Sequence, residues 1–401
     1  MGLNSTPSSD RVHIGFFGMR NAGKSSVVNA VTGQDLAVVS DVRGTTTDPV
    51  SKAMELLPLG PVVIIDTPGM DDEGTLGELR VRKARQVLNK TDVAVLVVDA
   101  AVGMRAEDQE LLEIIKDKKI PYAVVLNKAD LLPERKPAGE KEIYVSAVTG
   151  ENIYELKEKI AGLAVTDEPR LRIVGDLIQP SDFVVLVIPI DKAAPKGRLI
   201  LPQQQTIRDI LESDAVSIVV KENELKDTLK NLKKKPKLVI TDSQVFARVD
   251  QETPQDIWMT SFSILFARYK GNLKAAVEGA AALDRLKEGD HILISEGCTH
   301  HRQCDDIGTV KIPRWIQEYT GKELKFHFTS GVEFPEDLSS YQLIVHCGGC
   351  MLNEREMKYR IKCAQDQKIP ITNYGILIAH TKGILKRSIQ MFPDVAEKLE
   401  G

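Results

Sequence analysis

Eight consecutive residues, Gly18-Met19-Arg20-Asn21-Ala22-Gly23-Lys24-Ser25, fit the pattern G-x-x-x-x-G-K-S/T. The two glycines let backbone N–H groups curl around phosphate oxygens without interference from a Cβ. Lys24 is expected on the β- and γ-phosphates and the Ser25 hydroxyl on Mg²⁺, with Gly18, Asn21, Ala22, Gly23 and Ser26 completing the cradle. Asp66-Thr67-Pro68-Gly69 follows a later apolar run; Asp66 suits a second, water-mediated contact to Mg²⁺, and the Gly69 N–H can sense the γ-phosphate. In Asn127-Lys128-Ala129-Asp130, the Asp130 carboxylate can accept from both N1–H and the 2-amino group of guanine. Adenine offers neither donor, so binding it would strand a desolvated carboxylate, and the expected nucleotide is GTP. Ser146-Ala147 supplies a backbone contact to the guanine O6. Gly44-Thr45-Thr46-Thr47-Asp48 sits where a switch loop belongs, and one of its threonines, assigned as Thr46 with Thr45 beside it, closes on Mg²⁺ when the γ-phosphate is present. Lys24, Thr46 and Gly69 are therefore the groups expected at the reacting phosphate.

A second chemistry lies near the other end. The five cysteines are Cys298, Cys304, Cys347, Cys350 and Cys363, none of them in the first 297 residues. An odd, clustered set is poorly explained by structural disulfides and better by metal ligation or redox chemistry. Cys347-x-x-Cys350 and Cys298 each follow directly on a predicted strand, and turns at the carboxyl ends of neighbouring parallel strands converge. Gly348 and Gly349 allow the chain to curl around a bound atom. Two metals fit three thiolates: zinc, with His346 or His300 completing a tetrahedron, or a 4Fe-4S cluster with one weakly held iron. His300, His346, Asp305 and Asp306 are the candidates for the fourth position, with Cys304 ranked behind the three thiolates and Cys363 read as packing. A disulfide between Cys347 and Cys350 is a further, redox-sensing reading.

These groups need a scaffold. His13–Gly18, Val62–Asp66, Val93–Asp99 and Tyr122–Asn127 are Val/Ile/Leu-rich runs, the pattern of strands buried on both faces. Helical stretches at Lys24–Val31, Leu76–Leu88, Glu107–Asp117 and Ile153–Leu163 alternate with them, so a mostly parallel sheet covered by helices is expected. A second βα series follows: strands at Phe183–Ile190, Val216–Val220 and Leu238–Thr241, helices at Gln203–Leu211 and Glu222–Leu232. Residues 258–269 are the most aromatic stretch, either a self-association surface or the core of this segment. A third series has a helix at Leu273–Leu286, strands at His291–Ser295 and Leu343–His346, and a helix at Glu354–Gln365. The expected fold class is α/β: a P-loop GTPase domain with a mostly parallel sheet (1–168), then two further α/β domains (169–268 and 269–401). A chain of 401 residues suits such a division. The net charge of -4 gives no general reason to expect nucleic acid. No apolar run approaches the ~18–20 residues of a membrane span. Met1-Gly2 with Thr6 fits the loose myristoylation pattern only formally; a cytoplasmic location is expected.

The nucleotide motifs together resemble the GTPase branch that contains TrmE/MnmE, Era and EngA, over roughly residues 10–165. Members of that branch often bind K⁺ through a P-loop asparagine, which implies K⁺ at Asn21. Met70 stands where Ras-like proteins carry a water-orienting glutamine, so unaided hydrolysis is expected to be slow unless Glu73 or Glu78 substitutes. The pairing of Cys298-Thr299-His300 with His346-Cys347-Gly348-Gly349-Cys350 is similar to the signature of the FeFe-hydrogenase maturation GTPases, the HydF family, and the likeness extends over nearly the whole chain. It implies a 4Fe-4S cluster on Cys298, Cys347 and Cys350, a dimerisation domain at 169–268, and a cluster domain at 269–401. It also implies a scaffold role: a diiron precursor is received as cargo from radical-SAM maturases and delivered to apo-FeFe-hydrogenase by a homodimer. The alternative from another class is a TrmE-like RNA-modification GTPase with structural zinc.

Overall fold

The computed structural model describes residues 7–34, 50–67, 84–164, 172–190, 199–297, 306–331 and 333–396. The chain divides into two compact units, Met1–Pro169 and Arg170–Gly401.

The first unit is a six-stranded sheet in the order β2-β3-β1-β4-β5-β6. Its strands are β1 (Val12–Phe17), β2 (Val50–Leu56), β3 (Gly60–Asp66), β4 (Val93–Asp99), β5 (Tyr122–Asn127) and β6 (Glu142–Tyr144). All neighbours pair in parallel except β2 with β3. Alternation along β4 explains the two-sided core. Val93, Val95 and Val97 pack with Val27, Val31 and Ile160 from the helices Lys24–Thr32 and Ile153–Ala164. Ala94, Leu96 and Val98 pack on the opposite face with Leu111 and Ile115 of the helix Ala106–Asp117. Strand β2, absent from the sequence expectation, is an exposed edge whose residues show no apolar run.

The second unit carries two all-parallel, four-stranded sheets. One has the order β10-β9-β7-β8, from β7 (Phe183–Val187), β8 (Val216–Val220), β9 (Leu238–Thr241) and β10 (Trp258–Ser261). The aromatic stretch 258–269 divides between β10 and the helix Phe262–Lys270. Phe262, Ile264, Leu265 and Phe266 are buried in this unit's own core, while Trp258 and Tyr269 are only partly buried against it. That core also takes in Ile376, Ala379, Leu385 and Phe392, so the chain's later helices return to the middle sheet. Arg387 fastens this return by donating to the Asp250 carboxylate at 2.6 Å and to the carbonyls of Thr253 and Pro254 at 2.7 and 2.8 Å.

The other sheet has the order β12-β11-β13-β14, from β11 (His291–Glu296), β12 (Lys325–Ser330), β13 (Leu343–His346) and β14 (Ile371–Asn373). Helices Ile312–Thr320 and Tyr374–Thr381 cover one face and Glu354–Asp366 the other. The expected helix Leu273–Leu286 is helical to Ala280 and tightens into a 3₁₀ turn over Ala281–Arg285. Ser295 pairs with His346, so β11 and β13 end side by side.

Candidate nucleotide and metal sites

The P-loop leaves β1 at Gly18, whose φ of 138° lies in glycine's range. A Cβ there would stand 2.1 Å from the Val97 carbonyl, so only glycine lets the loop lie this close to β4. Gly23, at φ 85°, starts the helix Lys24–Thr32, and its N-terminal N–H groups are the anion-binding end. Lys24 is buried, and its Nζ donates to the carbonyls of Gly18 and Met19 at 3.0 Å each, holding the ammonium across the loop. Ser25 Oγ donates to Asp66 Oδ2 at 2.9 Å. This bond joins the two elements expected to share Mg²⁺. Burial raises the Asp66 pKa, while the Ser25 bond and the Lys24 charge oppose the rise. Its other oxygen, Oδ1, is buried with no hydrogen-bond partner among the described residues, which fits a position for cation-bound water. Asn21 lies exposed at φ 61° on the loop's rim, beside Ala22, and Ser26 follows on the first helical turn.

Asn127 ties the base-reading loops to the phosphate loop. Its Nδ2 donates to the Ala22 carbonyl at 3.0 Å and its Oδ1 accepts from the Ala147 N–H at 3.2 Å. Lys128, at φ 66°, pairs with Asp99 at 2.6 Å. Asp130 follows with its side chain exposed, and Ser146 is buried, its Oγ accepting from the Thr149 N–H at 3.1 Å. Gly18, Asn21, Lys24, Ser25, Asp66, Asn127 and Ala147 thus belong to one continuous set of loops at the carboxyl edge of the first sheet. Thr45, Thr46, Gly69, Met70, Glu73 and Glu78 lie outside the described residues.

In the second unit, Cys347 and Cys350 are both partly exposed. Cys347 Sγ accepts from the Gly297 N–H at 3.0 Å and from the Gly349 N–H at 3.4 Å. Two peptide donors on one sulfur suit a thiolate better than a thiol. Gly297 immediately precedes Cys298, so the chain leading to the expected third ligand arrives against the Cys-x-x-Cys turn. Cys298, His300, Cys304 and Asp305 themselves lie outside the described residues. Among the described residues no group of three His, Cys, Asp or Glu side chains is gathered as for a metal ion. Burial pushes the Cys350 thiol upward in pKa, and the Lys270 ammonium works against that rise. Lys270 is 3% exposed and donates to the carbonyls of Cys350 at 3.5 Å and Leu352 at 3.2 Å, placing a buried positive charge under the turn. The donor type, the N–H groups on sulfur and this charge fit an anionic thiolate-bound centre.

His346 is placed differently from the cysteine beside it. Its ring is 1% exposed; Nδ1–H donates to the Cys347 carbonyl at 2.7 Å, and Nε2 accepts from Arg360 Nη1 at 3.1 Å. Burial and the Arg360 charge lower its pKa to about 3, against the backbone bond, so the ring is neutral and both nitrogens are occupied. Asp306 is spent as a cap: its Oδ2 accepts from the N–H groups of Gly308 and Thr309 and from Thr309 Oγ1. Cys363 packs against the core on the face of the sheet covered by its own helix, Glu354–Asp366. Sequence reasoning missed Arg360, Glu356, Lys270 and the Glu296–Tyr374 pair, which bond at 3.3 Å beneath Gly308. Only the spacing of Glu356 and Arg360 carried a signal, and an i,i+4 ion pair reads as an exposed one.

Family models match three successive stretches of the chain. Residues 13–128 match "50S ribosome-binding GTPase", 173–271 match "Hydrogen maturase F dimerization domain", and 274–391 match "Hydrogen maturase F tetramerization domain". GTPase Der of Kosmotoga olearia is 29% identical over 211 residues, 47% of each chain. The tRNA modification GTPase MnmE of Chromobacterium violaceum is 34% identical over 154 residues, 37% of this chain and 34% of its own. The chain thus spans about half or less of the length of these relatives. Among solved structures, Era of Aquifex aeolicus covers 52% of this chain and 92% of its own at 21% identity, with a TM-score of 0.35. The N-terminal unit is a GTP-binding, GTP-hydrolysing domain, in agreement with its motifs and relatives. No described helix is long and apolar enough to cross a membrane. The two hydrogen maturase F models between them take in more than half of the residues, and the chain belongs to the hydrogen maturase F family.

Proposed function

We propose that this hydrogen maturase F protein is a GTP-switched scaffold that binds a 4Fe-4S cluster through Cys298, Cys347 and Cys350 and carries a diiron precursor as cargo. The precursor would come from radical-SAM maturases and pass to apo-FeFe-hydrogenase. The observation that carries the reading is the Gly297 N–H on Cys347 Sγ, which brings the residue before Cys298 into bonding contact with the Cys-x-x-Cys sulfur. Three protein thiolates would leave one iron of such a cluster without a protein sulfur, and a bridging ligand of the cargo could occupy that position. The working division is a GTP-binding domain over 1–168, a dimerisation domain over 169–268 and a cluster domain over 269–401.

In the nucleotide site the chain's own groups do the positioning. Lys24 and the P-loop N–H groups bind the phosphates, Ser25, Thr46 and Asp66 hold Mg²⁺, and Asn21 is assigned to K⁺. The Gly69 N–H reports the γ-phosphate, and Asp130, Asn127, Lys128, Ser146 and Ala147 select guanine. Potassium dependence is tested by comparing GTP turnover in KCl and NaCl for the wild type and Asn21→Ala; equal rates in the two salts would remove K⁺ from the account. Cys298→Ala should lose iron while GTP turnover persists. Loss of both together would count against two separable sites.

A further inference from the structure

We infer that Arg360 is a positioning residue for the thiolate site, fixing the ends of three adjacent strands and keeping the His346 imidazole off the metal. The inference rests on the cluster reading above and adds to it a control of which side chains can reach the iron.

Arg360 is 0% exposed and is the largest fully buried side chain described. Its Nε donates to Glu356 Oε1 at 2.8 Å. Its Nη1 lies 3.2 Å from Ser295 Oγ and 3.1 Å from His346 Nε2, and Nη2 donates to the Gly331 carbonyl at 2.7 Å. Ser295 lies one residue from the end of β11 and three before Cys298, His346 ends β13 next to Cys347, and Gly331 directly follows β12. One guanidinium therefore grips the carboxyl ends of β12, β11 and β13, the edge from which the cysteine turns leave. Thr329 Oγ1 donates to Ser295 Oγ at 3.1 Å and extends the network along β12. Only arginine presents this many donors in one rigid plane with a permanent charge; lysine can direct single bonds but not the fork.

The same contact decides what His346 can do. A neutral imidazole has one nitrogen lone pair for a metal, and here Nε2 spends it on Arg360 while Nδ1–H is held by the Cys347 carbonyl. Neighbouring residues of a strand point to opposite faces. Cys347 packs with the core on the side of Tyr374 and Ile312, whereas His346 meets Arg360 of the helix Glu354–Asp366 across the sheet. The histidine is therefore a spacer between the arginine and the cysteine's peptide group and does not ligate.

Removing Arg360 alone would leave Glu356 buried and unpaired, so the variant for the test is Glu356→Gln/Arg360→Gln, with Arg360→Lys beside it. The full chain is reconstituted anaerobically with iron and sulfide, reduced, and examined by pulsed EPR for imidazole nitrogen coupling. Wild type and His346→Gln should give the same spectrum. The double variant should gain an imidazole coupling that disappears when His346→Gln is added, and it should surrender iron to a chelator about tenfold faster. Arg360→Lys should not restore wild-type retention. A double variant with wild-type spectrum and retention overturns the inference, as does a wild-type nitrogen coupling that His346→Gln removes. If a variant takes up no iron, ¹⁵N-histidine NMR of the metal-free wild type decides. An Nδ1–H tautomer with unprotonated Nε2 supports the lock and the reverse tautomer overturns it. A wild type that binds no iron at all removes the cluster reading, while the NMR still judges the arginine contact.

Discussion

Asp66 is a carboxylate that its surroundings make unfavourable to charge: burial raises its pKa, and one oxygen has no hydrogen-bond partner among the described residues. Asp66→Asn should therefore leave the nucleotide-free protein as stable as wild type or more so, while weakening apparent Mg²⁺ affinity in GTP turnover by roughly 10–100-fold. Thermal melts and Mg²⁺ titrations check the two halves. His346 is likewise held neutral, its pKa moving the other way because its charged form is the protonated one. Its folded-state pKa of about 3 lies below the ordinary 6.5, so folding favours the neutral ring. Its contribution is present above the unfolded value and is lost as pH falls from 6.5 toward 3. The denaturation midpoint of metal-free wild type should fall more steeply over that window than that of His346→Gln; parallel curves would contradict the burial argument. Residues such as Lys24, Asp130 and Cys347 were legible in the sequence because their chemistry is tied to identity and spacing. Arg360 and Lys270 were not, because nothing local says that a charged side chain on a helix will be enclosed by a sheet packed from distant segments.

At the scale of elements, two glycines set how closely the parts approach. Gly279 lies on the helix Leu273–Ala280, where a Cβ would stand 2.1 Å from the Ile371 carbonyl oxygen of β14. Backbone cannot yield as a side-chain tip can, so Gly279→Ala should destabilise the second unit by roughly 1–3 kcal/mol, read by chemical denaturation. Gly349 bends the Cys-x-x-Cys turn at φ 61°. Gly349→Ala should cost about 1–2 kcal/mol of that conformation and hasten iron release; unaltered release would mean that the turn's shape is not what holds the metal. The central strands β1, β4, β5, β7, β9, β11 and β13 could be read directly, since burial on both faces leaves an unbroken apolar run. Strands β2, β12 and β14 could not. β2 and β12 are edges, in which Ser51, Lys52 and Glu55, or Lys325 and His327, face outward, and β14 has only three residues. The order of the strands also depends on long-range packing that no local pattern states.

For the whole molecule, the family match names two assembly domains over residues 173–271 and 274–391, so the chain should sediment as more than one copy of its 44.3 kDa. A monomer across the micromolar range would contradict that. Within the second unit, the helix Tyr374–Thr381 gives Ile376 and Ala379 to the core of the middle sheet and Leu377 and Ile378 to that of the other, so damage to the middle sheet should also disturb the thiolate site. In the proposed function, sulfurs about fifty residues apart along the chain hold a single inorganic centre. The most direct measurement is iron, acid-labile sulfide and zinc per chain after anaerobic reconstitution, for wild type and Cys298→Ala. The prediction is about four iron and four sulfide in the wild type, with most of both lost in the variant. Stoichiometric zinc in place of iron, or a variant that loads as fully as the wild type, would contradict it.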